Sequence, residues 1–477
     1  MKQRAIWILA WLAAVAVVTS TQARGGQRNE RSARRTSSAE EVPLDRYGGW
    51  TGIEFEATGF FRVEERDGWW WLVTPEGHAF FSTGMNHISA QGDYAPDLGY
   101  SPYQENVMSI YGSEEAWAEE VYDRLTAWHF NTIGAWSQSY WNDRMPWTTI
   151  LYISDYNWED GTVPDYFAPE WPERADAVAA SRCAPHKEDP YLVGYFLDNE
   201  QRWSVDWRSL LSLFDTYMTF PPDAPGKIAL VDTLRRLHFD NIESLNRAWG
   251  TNLESFDEIL ELTELGDGPD SLTAHRDKSV FTSLVADQYF RIATLAVRKY
   301  DPNHLILGSR FTPYTLPRAV VEAAAPYLDV ISINYYELVG PLEDIVDLGI
   351  PNSASIADWC LEYHELSGLP IMLTEFSYRA DDSGLPNSWP PHNTIPTYPT
   401  QEQRAKAFAA YAYRSIMAPY VVGYHWFEYA DEPAEGRFDG ENSNFGAVDI
   451  EDRPYEVLVN QMAISNLWPY TLRVAGD

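Results

Sequence analysis

Eight short runs, apolar along nearly their whole length, recur down this chain with helical stretches between them. That alternation leaves few folds open. The runs are Ala79–Asn86, Asn131–Trp136, Thr149–Ser154, Leu192–Leu197, Leu305–Arg310, Val330–Tyr335, Ile371–Glu375 and Val421–Phe427. A strand that is apolar on both faces belongs in a parallel sheet covered by helices. Helical patterns fall at Ser113–Trp128, Pro317–Ala325, Ser355–Leu366 and Thr400–Met417. The second opens with Pro, which the start of a helix tolerates. The last opens with Thr400-Gln-Glu-Gln403, a capping-box pattern. Eight strands alternating with helices predict an α/β fold, a (β/α)8 TIM barrel. An open doubly wound sheet fits less well, because no Gly-rich nucleotide turn follows the first run.

Other segments decorate this frame. Phe60–Val63 and Trp69–Val73 flank Asp67-Gly68, a pair that favours a tight hairpin turn. A small N-terminal β-hairpin element is therefore expected, closing the bottom of the barrel. About 100 residues separate the fourth and fifth runs. They carry helical patterns at Ile228–Trp249 and Val280–Lys299 and read as a long helical insertion after strand four. Asp381–Pro399, rich in Pro, Asn and Ser, should form a loop over the site. Met1–Arg4 is basic, Ile6–Val18 is apolar, and Thr21-Gln22-Ala23 resembles a cleavage site. Residues 1–23 are expected to be a signal peptide of a secreted or periplasmic protein. Residues 24–41 are expected to be a disordered linker, and 42–477 one catalytic domain.

Composition narrows the partners. The chain has 35 basic and 70 acidic residues, a net charge of −35. Nucleic acid and anionic membrane surfaces need basic patches, so neither is an expected partner. The only cysteines are Cys183 and Cys360, which allow one disulfide or two buried thiols. No Cys or His cluster has zinc spacing, and there is no EF-hand or phosphate-binding Gly loop. No metal and no cofactor is expected. The 20 Trp and 29 Tyr supply flat surfaces suited to sugar rings, or simply core bulk.

Two carboxylates carry the chemistry. Glu200 follows the fourth run, in Tyr191-Leu-Val-Gly-Tyr-Phe-Leu-Asp-Asn199-Glu200, and Glu375 ends the seventh. The catalytic face of such a barrel is the one where its strands end. A single Glu at a strand end is often only a loop anchor. Two of them, on strands four and seven of eight, with Asn199 before the first, form a pattern suited to glycoside hydrolysis. One carboxyl then protonates the leaving oxygen and the other attacks the anomeric carbon. Asn199 is placed to hydrogen-bond a sugar hydroxyl. Asn86 and His87 end strand one and are candidates to hold another. Trp389 and Tyr398 could stack on sugars or pin their own loop. Glu428 is a third acidic candidate beyond strand eight. His425 is expected to point into the helix layer.

Six stretches together resemble glycoside hydrolase clan A, and within it most closely the β-agarases and related β-galactosidase-like enzymes. They are Ala57–Val63, Trp70–His78, Tyr191–Glu200, Leu245–Gly250, Val422–Asp431 and Glu441–Gly446. The resemblance implies a retaining mechanism with Glu200 as acid/base and Glu375 as nucleophile. It implies Asn199 beside the cleaved bond, Trp426 as a sugar platform and Tyr335 as a hydrogen-bond donor to the nucleophile. Many clan members carry an Arg on strand two near the nucleophile. Here that strand ends in Trp136, and Arg310 on strand five is the residue expected to supply the charge. Trp136 and Arg310 complete the expected substrate-binding set. The expected substrate is a β-linked galactose-containing polysaccharide or oligosaccharide, with agarose foremost. A clan A β-mannanase, β-glucanase or β-galactosidase is the alternative, and a non-catalytic carbohydrate-binding protein a further one.

Overall fold

The computed structural model describes residues 42–266, 271–337, 356–390 and 395–473. The expected signal peptide and linker lie outside them. Among the described residues no helix is long and apolar enough to cross a membrane.

Eight parallel strands form the central sheet, in the order β5 (Ser82–Met85), β6 (Thr132–Ile133), β7 (Trp147–Ile150), β8 (Leu192–Phe196), β9 (Leu305–Ile306), β10 (Ile331–Asn334), β11 (Ile371–Phe376) and β14 (Val421–Trp426). β12 (Arg379–Ala380) and β13 (Thr397–Tyr398) pair separately from the barrel, and β14 pairs back onto β5. Between β9 and β10 the ring is completed by a parallel bridge from Phe311 to Ile333 and by Asp329 N–H donating to the Ile306 carbonyl at 2.9 Å. All eight apolar runs thus lie in one (β/α)8 barrel, and their C-terminal ends share one face.

All the regular strands but β11 are shorter than the runs. The first run splits: β4 (His78–Phe80) joins an N-terminal sheet, and β5 enters the barrel. That sheet has four antiparallel strands, with β1 (Trp50–Glu54), β4, β3 (Trp69–Val73) and β2 (Arg62–Arg66) in order, rather than a lone hairpin. At the β2–β3 turn both Asp67 and Gly68 have positive φ, 55° and 79°. The tightest right-twisted hairpin turn demands that conformation at both central residues. Tyr47, Phe61, Leu72 and Phe80 from this region form one buried cluster with Val193, Leu305, Val330, Met372 and Val422. Those five stand at the start of barrel strands, so the N-terminal sheet plugs the end opposite the strand termini.

The four predicted interstrand helices are present at Glu114–Ala127, Arg318–Ala324, Ile356–Ser367 and Gln401–Met417. The insertion after β8 is helical. Its Ile228–Trp249 stretch, read as one helix, is two: Pro225–Leu237 and Ile242–Trp249. Phe239 and Asp240 turn left-handed between them, at φ 56° and 55°, and the Asn241 side chain caps the second by accepting from Ser244 N–H. The helix Glu170–Arg182 left little sequence signal, because its buried stripe is only Trp171, Ala175 and Ala179. Cys183 and Cys360 are buried free thiols, so the optional disulfide is absent.

Candidate active site

The strand termini surround a cleft of about 540 Å3, lined by His87, Trp136, Trp158, Asn199, Glu200, Glu375 and their neighbours. Glu375 stands inside β11, and its register partner on β10 is Asn334. Glu200 lies past β8, where its N–H donates to the Ser309 carbonyl at 3.3 Å and its own φ is 49°. Folding therefore brings residues 175 positions apart to the two sides of one amide. Asn334 Nδ2 donates to Glu200 Oε1 at 2.9 Å and to Glu375 Oε2 at 3.0 Å. One nitrogen touching both limits those two oxygens to a separation of about 6 Å, close to the 5–5.5 Å of retaining glycosidases and below the 6.5–9.5 Å of inverting ones.

The two carboxyls have different surroundings. Glu200 Oε2 accepts from the Trp158 indole N–H at 2.9 Å, so both donors to this side chain are neutral. Glu375 is held by a cation. Arg310, fully buried, sets Nη2 3.0 Å from Glu375 Oε2. Tyr336 donates its hydroxyl to Glu375 Oε1 at 2.7 Å. Burial pushes the Glu375 carboxyl up to about 7, Arg310 pulls it down, Glu200 adds to the rise and the Tyr336 hydrogen bond opposes it. Arg310 also donates from Nη1 to Asn199 Oδ1 at 2.7 Å, fixing that amide so that its NH2 group is left for a ligand. The guanidinium lies 4.2 Å from the Trp136 ring, placing Trp136 against the charge that holds Glu375.

Of the expected residues, Glu200, Glu375, Asn199, His87 and Trp136 line the cleft, and Arg310 lies directly beneath them. Three do not serve as expected. Tyr335 points away from Glu375 into the core, stacking on Tyr314 at 5.7 Å, and its neighbour Tyr336 makes the bond. Trp426 has no exposed surface. It packs on Phe376 and Phe408 and donates to the Phe445 carbonyl, so it is no sugar platform. Asn86 spends its amide on the fold: Nδ2 donates to the Thr374 carbonyl at 3.0 Å and Oδ1 accepts from Ala135 N–H at 2.9 Å. It ties strand one to strands two and seven and has no accessible surface for a sugar. His425 points into the barrel rather than the helix layer. It bonds Ser82 Oγ at 2.8 Å and fills space where a Cβ on Gly84 would lie 2.3 Å from its ring.

The aligned architecture extends to known proteins. The chain is 29% identical to β-agarase B of Vibrio sp. (strain JT0107), over 90% of this chain and 50% of the relative. It is 29% identical to β-agarase A of the same strain, over 84% of this chain and 45% of that protein. A solved exo-β-agarase structure matches with a TM-score of 0.77 at 28% identity, covering 91% of this chain and 68% of that one. The chain is a homologue of β-agarases. It spans about half the length of the curated relatives it matches. No protein-family model matches it.

The cleft wall at His87 is polar. His87 Nδ1 hydrogen-bonds Glu428 Oε2, with Asp93 at 3.9 Å. Burial alone would lower the His87 pKa. Asp93 and Glu428 outweigh it and lift the imidazole to about 9, so it is charged at neutral pH. The donor atoms of His87, Asp93 and Glu428 lie close enough to share a metal ion, as do those of Asp45, Glu76 and His78. In the first cluster His87 Nδ1 is already bonded to Glu428. In the second Asp45 is already committed to Thr74, His78 and two backbone N–H groups. Glu428 is thus a partner of His87 behind the wall, and not one of the two facing carboxyls. Tyr398 packs edge-on against Tyr378 and anchors its loop, whereas Trp389 is half exposed.

Proposed function

We propose that the chain is a retaining glycoside hydrolase of the β-agarase kind, cutting a β-linked galactose-containing polysaccharide through Glu200 and Glu375. The observation that carries this reading is the Asn334 amide donating to both carboxyls at once. The Glu375 carboxylate attacks the anomeric carbon as the glycosidic C–O bond breaks, and the Glu200 carboxyl gives its proton to the departing oxygen. A glycosyl ester on Glu375 results. Glu200, now ionised, takes a proton from water, the water oxygen bonds to the anomeric carbon, and Glu375 leaves as carboxylate. The donor sets support these roles. A guanidinium favours the charged form of its partner, and only Glu375 has one. Asn199 and Trp136 are assigned to the sugar beside the cleaved bond, and His87 to its far wall. Residues 1–23 are assigned to an export leader, which recovery of an exported protein still beginning at Met1 would contradict.

Incubation with agarose should release neutral galactose-containing oligosaccharides. Hydrolysis of mannan or β-glucan with agarose untouched would refute the substrate assignment. Within the site, Tyr336→Phe removes a donor that stabilises ionised Glu375. Turnover should fall roughly 10- to 100-fold, and the acid limb of kcat/KM should move to higher pH. Tyr335→Phe should leave both nearly unchanged. A Tyr335 effect equal to that of Tyr336 would reverse the assignment.

A further inference from the structure

Residues Asp206–Ser209 make a tight turn. Asp206 N–H donates to the Ser209 carbonyl at 3.0 Å, and Ser209 N–H returns to Asp206 at 3.3 Å. The two tip residues behave oppositely. Arg208 folds inward, its side chain almost wholly buried, and donates to the Trp158 carbonyl at 3.1 Å, the Glu200 carbonyl at 3.0 Å and Asp206 Oδ2 at 2.9 Å. Trp207 stays outside, 62% exposed. The Arg208 guanidinium lies 4.3 Å from the Trp207 ring centroid and 5.8 Å from that of Trp158. One exposed and one cleft-lining indole therefore flank the same cation, and that cation is bonded to the backbone of Glu200 itself. A scattered exposed indole is ordinary. This one stands on the cation that bonds the carbonyl of a proposed catalytic residue and that also lies by the cleft-lining Trp158, and exposed Leu210 and Leu211 follow it closely in the chain.

The side of the cleft follows from the role of Glu200. The acid touches the oxygen that departs, so the sugars of the leaving portion run past Glu200 and Trp158 toward the turn. Pyranose rings offer flat C–H faces, which an indole matches in shape and polarity. We propose that Trp207 forms a distal subsite on the leaving-group side, stacking on a pyranose of the same polysaccharide beyond the sugar next to Trp158. This rests on the glycosidase reading above. Recognition then depends on chain length: a substrate too short to reach the turn gains nothing from it.

The test compares kcat/KM on an agarose tetrasaccharide and an agarose decasaccharide, for the full chain and for Trp207→Ala. The long-to-short ratio should fall roughly tenfold in Trp207→Ala, and Trp207→Phe should keep most of it. An unchanged ratio in a chain that cleaves both substrates overturns the platform and leaves the catalytic reading standing. Equal losses on both lengths also overturn it, since they report a disturbance at Glu200. Failure of the unaltered chain to cleave either length removes the catalytic reading and the subsite with it.

Discussion

Replacing Glu375 by Gln should lower kcat on agarose oligosaccharides by at least about 10³-fold, with little change in KM. The amide keeps the shape of the carboxyl, and Arg310 keeps its bonds to Asn199 and the Thr374 carbonyl. What goes is the nucleophile. Glu200→Gln should cost comparably on the natural substrate, but far less on an aryl glycoside whose phenolate departs without a proton. That split by leaving group separates an acid from a nucleophile. The same pair of variants bears on pH. Glu375 reacts ionised and its pKa is raised to about 7, so kcat/KM should fall as pH drops through that region. Stability should run the other way. A buried carboxyl with a raised pKa stabilises the fold least when charged, and its contribution fades as pH climbs from the ordinary glutamate value of about 4.3 toward 7. The Tm of Glu375→Gln relative to the unaltered chain should therefore improve between pH 5 and pH 8. Near-normal turnover in both Gln variants would end the two-carboxylate account.

Arg310→Met should be nearly as damaging, for a different reason. The guanidinium opposes the burial that would otherwise keep Glu375 neutral. It also fixes Asn199, and its flat face lies against Trp136. Removing it should reduce kcat/KM roughly 10²–10³-fold and move the acid limb upward. The carboxylate left behind is buried without a counter-charge, keeping only its bonds from Asn334 and Tyr336, and breaking a buried ion pair typically costs about 3–5 kcal/mol when the group must stay charged. Protonation offers an escape at low pH, so the loss of stability should be larger at pH 8 than at pH 5. Arg310→Lys should recover only part of the activity, because one ammonium cannot span Asn199, the Thr374 carbonyl and Glu375 in a planar fork. The pH–rate profile and paired thermal melts check both halves. An unmoved acid limb would show that Arg310 does not control the ionisation of Glu375.

Much of this candidate site is legible in the sequence. The two carboxyls stand out because each follows an apolar run, and the count of runs places them on strands four and seven. At Tyr335, Trp426 and His425 the structure departs from expectation through side-chain direction. On β10, Ile331 and Ile333 lie in the outer core cluster while Ser332 and Asn334 turn inward to Arg310 and the carboxyls. Carrying that alternation forward selects Tyr336, not Tyr335. Asn334 occupies an inward position on the same strand. On β14 His425 and Trp426 do alternate, inward and outward, but the register shifts in its pairing with β11 hide from the sequence which of the two faces inward. Trp158 and Arg208 are illegible for another reason. They stand on loops beside the cleft, whose paths depend on long-range bonds such as Arg208 to the Glu200 carbonyl and carry no periodic pattern.

The most direct test is to trap the covalent intermediate. A 2-fluoro-galactosyl donor with a good leaving group slows the second step more than the first, so the sugar should remain attached and be found by mass spectrometry on the peptide containing Glu375. Attachment to Glu200, to Glu428 or to any other carboxyl would contradict the account.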